Sequence, residues 1–170
     1  MENTNIKNLK IEGVKLVQLG TPPTFQYPFV DDRGILYEVW HASDKYVPEV
    51  KQVYVVNSFS PESVRAFHKH ANLFDLFIII RGTAKFVLVD DREDSPTYYK
   101  QMEVMDVVVL TAENPRLLVV PPGVFHGWKP VVPEGATLLS LATEEYIHDN
   151  PDEVRIDPYT FGDVWTVKGR

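Results

Sequence analysis

Apolar and polar residues alternate through most of this chain, in short runs closed by glycine, proline, asparagine or aspartate. A period of two places successive side chains on opposite faces of an extended strand. The alternation predicts strands over 14–19, 35–40, 52–56, 64–70, 73–80, 83–89, 98–104, 106–110, 116–120, 127–131 and 137–142. Arg81-Gly82 reads as a hairpin turn between the fifth and sixth of these, and Asp31-Asp-Arg33-Gly34 as another turn. Residues 20–28 carry three prolines and read as loop, since proline removes a ladder donor. Residues 90–96 read as a charged loop and 58–63 as a turn. No run of ten residues has helical periodicity; 111–114 holds the only faint helical signal. Eight or more short strands at this spacing define an all-β fold, a sandwich or a barrel. At 170 residues the chain is expected to be one domain over 1–170, with 1–10 loose and 144–170 a tail packed on the barrel.

Charge and composition remove several function classes. The net charge is −7 and the pI near 5.2, with no basic cluster, which argues against a nucleic-acid partner. There is no cysteine, so disulfides and thiolate zinc sites are excluded. Asp75, Asp106 and Pro121-Pro122 interrupt the longest apolar runs, so no membrane span is expected. The N-terminus has neither a basic nor an apolar signal region. The expectation is a soluble cytoplasmic protein.

The candidate chemistry lies in Arg65-Ala-Phe-His68-Lys-His70, then Asp75 and Gly82, and far downstream Pro121-X-Gly123-X-X-His126. On a strand, His68 and His70 project to one side. Three imidazoles and a carboxylate from His68, His70, Asp75 and His126 suit a divalent transition metal such as Zn, Fe, Mn or Ni. The same residues suit metal-free acid–base work. A histidine in a pocket can take a proton α to a ketone, with Arg65, Arg33 or His126 stabilising the enolate. The bland alternative is that each histidine is a satisfied structural residue.

His-X-His, a spaced acid, a glycine and Pro-X-Gly-X-X-His together resemble the two motifs of the cupin superfamily, whose fold is a double-stranded β-helix or jelly roll. A longer ordered set resembles the dTDP-4-dehydrorhamnose 3,5-epimerase family and related sugar-nucleotide ketoisomerases. Its pieces are Asp31-X-Arg33-Gly34 with Glu38, Arg65-X-X-His68, Asp90-X-Arg92-X-X-Ser95-Pro96-Thr97, Pro121-X-Gly123-X-X-His126-Gly127, and Tyr146 with Pro151-Asp152-Glu153. The resemblance implies epimerase or ketoisomerase action on a dTDP-4-keto-6-deoxyhexose. It makes His68 and His70 catalytic, and Arg33, Arg65 and His126 substrate-binding. It implies no required cofactor, and a homodimer in which Arg33 reaches a neighbouring subunit. The alternatives are a metal-dependent cupin acting on another small molecule, and a non-catalytic sugar-nucleotide binder. Three positions depart from the epimerase pattern: Asp75 stands for a lysine, Ser140 for a tyrosine general acid, and His70 for a glutamine. The resulting His-X-His is similar to that of the 3,4-ketoisomerases. An anion at 75 in place of a cation favours an imidazolium or a bound metal at His68.

Overall fold

The computed structural model describes residues 5–21 and 27–167. Within them the strands are β1 (Ile6–Asn8), β2 (Lys15–Gln18), β3 (Phe29–Asp31), β4 (Gly34–Leu36), β5 (Gln52–Ser58), β6 (Arg65–Lys69), β7 (Asp75–Asp90), β8 (Met105–Thr111), β9 (Arg116–Val120), β10 (Val124–Pro130), β11 (Ala136–Ala142) and β12 (Val154–Arg155). One helical turn, α1 (Tyr99–Met102), precedes β8. No helix among these residues is long and apolar enough to cross a membrane.

All the pairings are antiparallel, and β7 belongs to both layers of the jelly roll. Its first half pairs with β9 and β11, continued outward by β2, β1 and β5. Its second half pairs with β8 and β10, continued by β6 and β12. Phe77, Ile79, Leu118 and Leu138 of the first layer meet Phe86, Leu88, Val108 and Trp128 of the second in the central core. The two outer faces are also covered, which is why β7 is apolar on both sides. Tyr37, Val39, Trp40, Tyr46, Val47 and Val50 lie over Leu76, Ile78 and Val119. From the C-terminal segment, Ile156, Phe161, Val164 and Trp165 pack on Phe67, Val87 and Phe125.

Several sequence expectations change here. Arg81-Gly82 is not a hairpin, because the two flanking runs find other partners and continue as one sixteen-residue strand. Gly82 instead marks a bulge, opposite a register shift at Thr137/Leu138, with φ 74°. A Cβ there would collide with the Gly135 carbonyl oxygen, so the close strand approach requires glycine. The run 98–104 is not a strand and holds α1 at 99–102 instead; Lys100, Gln101 and Met102 favour helix, and Glu103 ends the turn at φ 51°. Residues 6–8, expected to be loose, form β1 against β2; residues 1–4 lie outside the described residues. Of the run 35–40 only 35–36 is strand, as the end of β4 paired with β3. The proline loop lies partly outside the described residues, at 22–26.

Candidate active site

Strand alternation delivers the site. On β10, Val124 and Trp128 face the core and Phe125 faces out, so His126 between them faces in. On β6, Phe67 faces out and His68 faces in; the register pairs His68 directly with His126. On β7, Phe77 and Ile79 face in and Leu76 and Ile78 out, so Asp75 faces in. The Pro121–Gly123 turn is tied to the His-X-His strand by the Gly123 N–H donating to the His70 carbonyl at 2.7 Å. Buried Asp90 accepts from Arg92 Nε at 2.7 Å and from the Ser95 and Thr97 hydroxyls at 2.6 Å each, fixing Arg92 beneath that turn. Burial raises the Asp90 pKa, but those donors outweigh it and hold the carboxyl down at about 2.

His68, His70, Asp75 and His126 are therefore brought together, with one potential ligand atom from each lying within 4.8 Å of the others. His126 Nε2 is 2.9 Å from His68 Nε2 and 3.3 Å from Asp75 Oδ2. His70 Nε2 is 3.5 Å from the same carboxylate oxygen. His126 and Asp75 are each only 2% exposed. His68, His70 and Asp75 line a cleft of about 640 Å³ together with Gln52, Tyr54, Tyr146 and Asp152, and His126 is buried beside them. A second cleft of about 350 Å³ shares Tyr54, His68, Glu153 and Arg155 with the first and runs to Arg65 and Trp128. Arg65 Nε donates to Ser58 Oγ at 3.0 Å, which holds the guanidinium beside that cleft.

Arg33 is elsewhere. It sits on the turn between β3 and β4, paired with Asp31 through Nε at 2.9 Å, and lines neither cleft. The pairing raises its pKa. Asp75 Oδ2 contacts His126 and His70 directly, while its separation from His68 stays within 4.8 Å. Burial first, then His126, His70 and Arg155, push the His68 pKa down to about 2, so His68 is a neutral imidazole and the expected imidazolium is absent.

One candidate side chain escaped the motif reading. Tyr54 lies across from Ser140 in the β5–β11 register, and both face inward. Burial, then the charge of Asp75, raises the Tyr54 pKa. The phenol therefore keeps its proton, and Tyr54 lines both clefts. The signal available was alternation: Gln52, Tyr54, Val56 and Ser58 occupy one face of a β run.

The low His68 pKa has a consequence for stability. An unfolded histidine takes up a proton near pH 6.5, whereas folded His68 does so only near pH 2. Between these values the unfolded chain holds more protons, so stability falls as pH drops below about 6.5, by up to about 1.4 kcal/mol per unit for this group. Urea unfolding of metal-free protein at pH 7, 6 and 5 should show a shallower decline for His68→Gln than for wild type. Parallel declines would remove His68 from the account.

An antiparallel jelly roll with an inward histidine cluster under an arginine-flanked cleft defines a cupin-type small-molecule enzyme. A family model for dTDP-4-dehydrorhamnose 3,5-epimerase matches residues 8–168. The spore coat polysaccharide biosynthesis protein SpsL of Bacillus subtilis is 33% identical over 162 residues, 94% of this chain and 99% of its own. The probable low-salt glycan biosynthesis epimerase Agl13 of Haloferax volcanii is 34% identical over 131 residues, 76% of this chain and 80% of its own. The crystal structure of dTDP-4-dehydrorhamnose 3,5-epimerase from Bacillus anthracis, with TDP and PPi bound, superposes with a TM-score of 0.71 at 25% identity, over 89% of this chain and 83% of that one. The chain belongs to the dTDP-4-dehydrorhamnose 3,5-epimerase family, and it is a sugar-nucleotide epimerase.

Proposed function

We propose that this enzyme inverts a carbon next to the ketone of a dTDP-linked 4-keto-6-deoxyhexose by proton transfer, with His68 as the base. The observation that carries this is His68, which lines both clefts beside His70 and His126, one of the clefts reaching Arg65. The proton α to the ketone passes to a His68 nitrogen, and the C–H electron pair becomes the enolate double bond, with charge on the ketone oxygen. Return of a proton to the opposite face inverts the centre, and Tyr54, held protonated, is the donor. A pKa near 2 makes free His68 a weak base; the two negative phosphates of a bound substrate raise it in the complex. The reaction so written requires no cofactor.

Arg65 receives the diphosphate, through the planar fork that suits phosphate oxygens. Arg33, directed away from this chain's own clefts, serves a second copy in a homodimer. Supporting that assembly, β5 is an open sheet edge with Val53 and Val55 at 56% and 59% exposure, and Phe29, Val30, Ile35 and Leu36 on β3 and β4 are exposed as well.

Binding tests the substrate class. Thermal-shift titration with dTDP, UDP and GDP should show stabilisation by dTDP, and Arg65→Ala should weaken dTDP affinity about tenfold or more. Equal responses to all three nucleotides, or an Arg65→Ala protein that binds dTDP as wild type does, would contradict the assignment.

A further inference from the structure

Two arginines border the narrower cleft. Arg155 lines it together with Arg65, and lines the larger cleft as well. No motif marks Arg155, and it stands on β12, a strand of two residues too short to show alternation.

Its place follows from register. β12 runs antiparallel to β6, with Arg155 directly opposite His68. Residues paired across a ladder project to the same face, so Arg155 turns toward the cavity with His68. The next residue, Ile156, turns the other way, into the outer cluster of Phe67 and Trp165. Arg65 reaches the cavity face by a different route. It lies three residues before His68, an odd spacing that would set the two on opposite faces. The β6–β10 register reverses this: His126 pairs with His68 and Trp128 with Arg65, so β6 holds one residue more than β10 over that stretch. Trp128 faces inward, and Arg65 opposite it lines the same cleft. Arg155 therefore stands at the His68 end, and two strand steps on β10 put Arg65 roughly 7 Å further along.

Charge selects the narrower cleft for a diphosphate. Besides His68 and Tyr54, the ionisable residues lining it are Arg65, Arg155 and Glu153. The larger cleft is lined by Asp75, Glu144, Glu145, Asp152 and Glu153, and Arg155 is the one arginine or lysine among the described residues that line it. An anion near His68 is repelled by that wall and attracted by the two guanidinium groups of the narrower cleft. The Arg155 side chain is 77% exposed, so its reach is open. Its Nη2 donates to Glu153 Oε2 at 2.8 Å, which steadies the arm and engages one of the five N–H donors of the group.

We infer that Arg155 is a second diphosphate-binding residue, holding the phosphates from the His68 end while Arg65 holds them from the other. The inference rests on the reading of the substrate as a sugar nucleoside diphosphate. Each planar fork takes two phosphate oxygens. Held at both ends, the diphosphate cannot slide along the cleft, and the sugar joined to it is fixed beside His68.

Calorimetric titration of the full-length protein with dTDP tests this. Arg155→Ala should bind dTDP about tenfold more weakly or worse, the loss expected when a charged hydrogen-bonding partner is removed. Arg155→Lys should fall between that variant and wild type, since it keeps the charge and loses the fork. Arg81→Ala removes an equal charge from β7 at a position that lines neither cleft, and should bind within about twofold of wild type. Thermal unfolding of Arg155→Ala should match wild type, because the side chain is exposed. An Arg155→Ala protein that binds dTDP within about twofold of wild type, or that loses no more affinity than Arg81→Ala, would overturn the role of Arg155. If Arg65→Ala still weakened binding in that case, the substrate class would stand. A wild-type protein that binds no dTDP would overturn both.

Discussion

His68→Asn should slow proton exchange between solvent and the sugar by about 10²–10⁴-fold, the usual contribution of a positioned general base. The asparagine keeps the approximate shape and a polar end, but it has no lone pair basic enough to take a carbon-bound proton. Binding should be spared, because Arg65 is held beside the cleft by its hydrogen bond to Ser58, independently of His68. The expected signature is therefore a fall in kcat with little change in dTDP affinity. Exchange is read from the loss of sugar proton signals in D₂O. A variant within about threefold of wild type would move the base elsewhere, and Tyr54 is the next group in the cavity.

Gly127→Ala should be strongly destabilising and should act directly on the site. Its Cβ would overlap that of Ala66 and lie 2.8 Å from Ala66 Cα and 2.9 Å from the Arg65 carbonyl oxygen. Two of these neighbours are backbone atoms of β6, so no rotamer change relieves the clash. The strands must separate, and they are the pair that sets His68 against His126. Overpacking of this kind costs about 3 kcal/mol, equivalent to a fall in Tm of roughly 6–12 °C for a chain of this size. Exchange activity should fall with it. Ala66→Gly in the same chain removes the worst contact and should recover much of the lost stability. A Gly127→Ala protein as stable and active as wild type would show that this strand pair does not set the histidine geometry.

The residues that were legible in the sequence are those whose position follows from local alternation plus a turn. His68 and His70 share a face by period two, and Pro121-X-Gly123 announces a turn three residues before His126. What joins them is long-range: β6 and β10 are paired across 58 residues of chain, and no local pattern encodes that register. Gly82 misled for the same reason. A glycine between two β runs reads as a hairpin when the runs are assumed to pair with each other. Here β8, β9, β10 and β11 claim both halves of β7, and the glycine serves a bulge instead. Tyr54 was hidden because an aromatic residue in a β run is ordinarily packing. Only the cross-strand position opposite Ser140 makes it a donor to the cavity. Arg33 shows the converse: its motif spacing was plain, but on the β3–β4 turn it lines neither of the two clefts.

The assignment as a base-catalysed sugar-nucleotide epimerase is tested most directly by incubating metal-free enzyme with dTDP-4-keto-6-deoxyglucose in D₂O and following C3 and C5 by NMR. Deuterium should enter at one or both carbons next to the ketone, with inverted configuration there and no exchange in the His68→Asn protein. A substrate recovered with every carbon-bound proton and both configurations intact would contradict it.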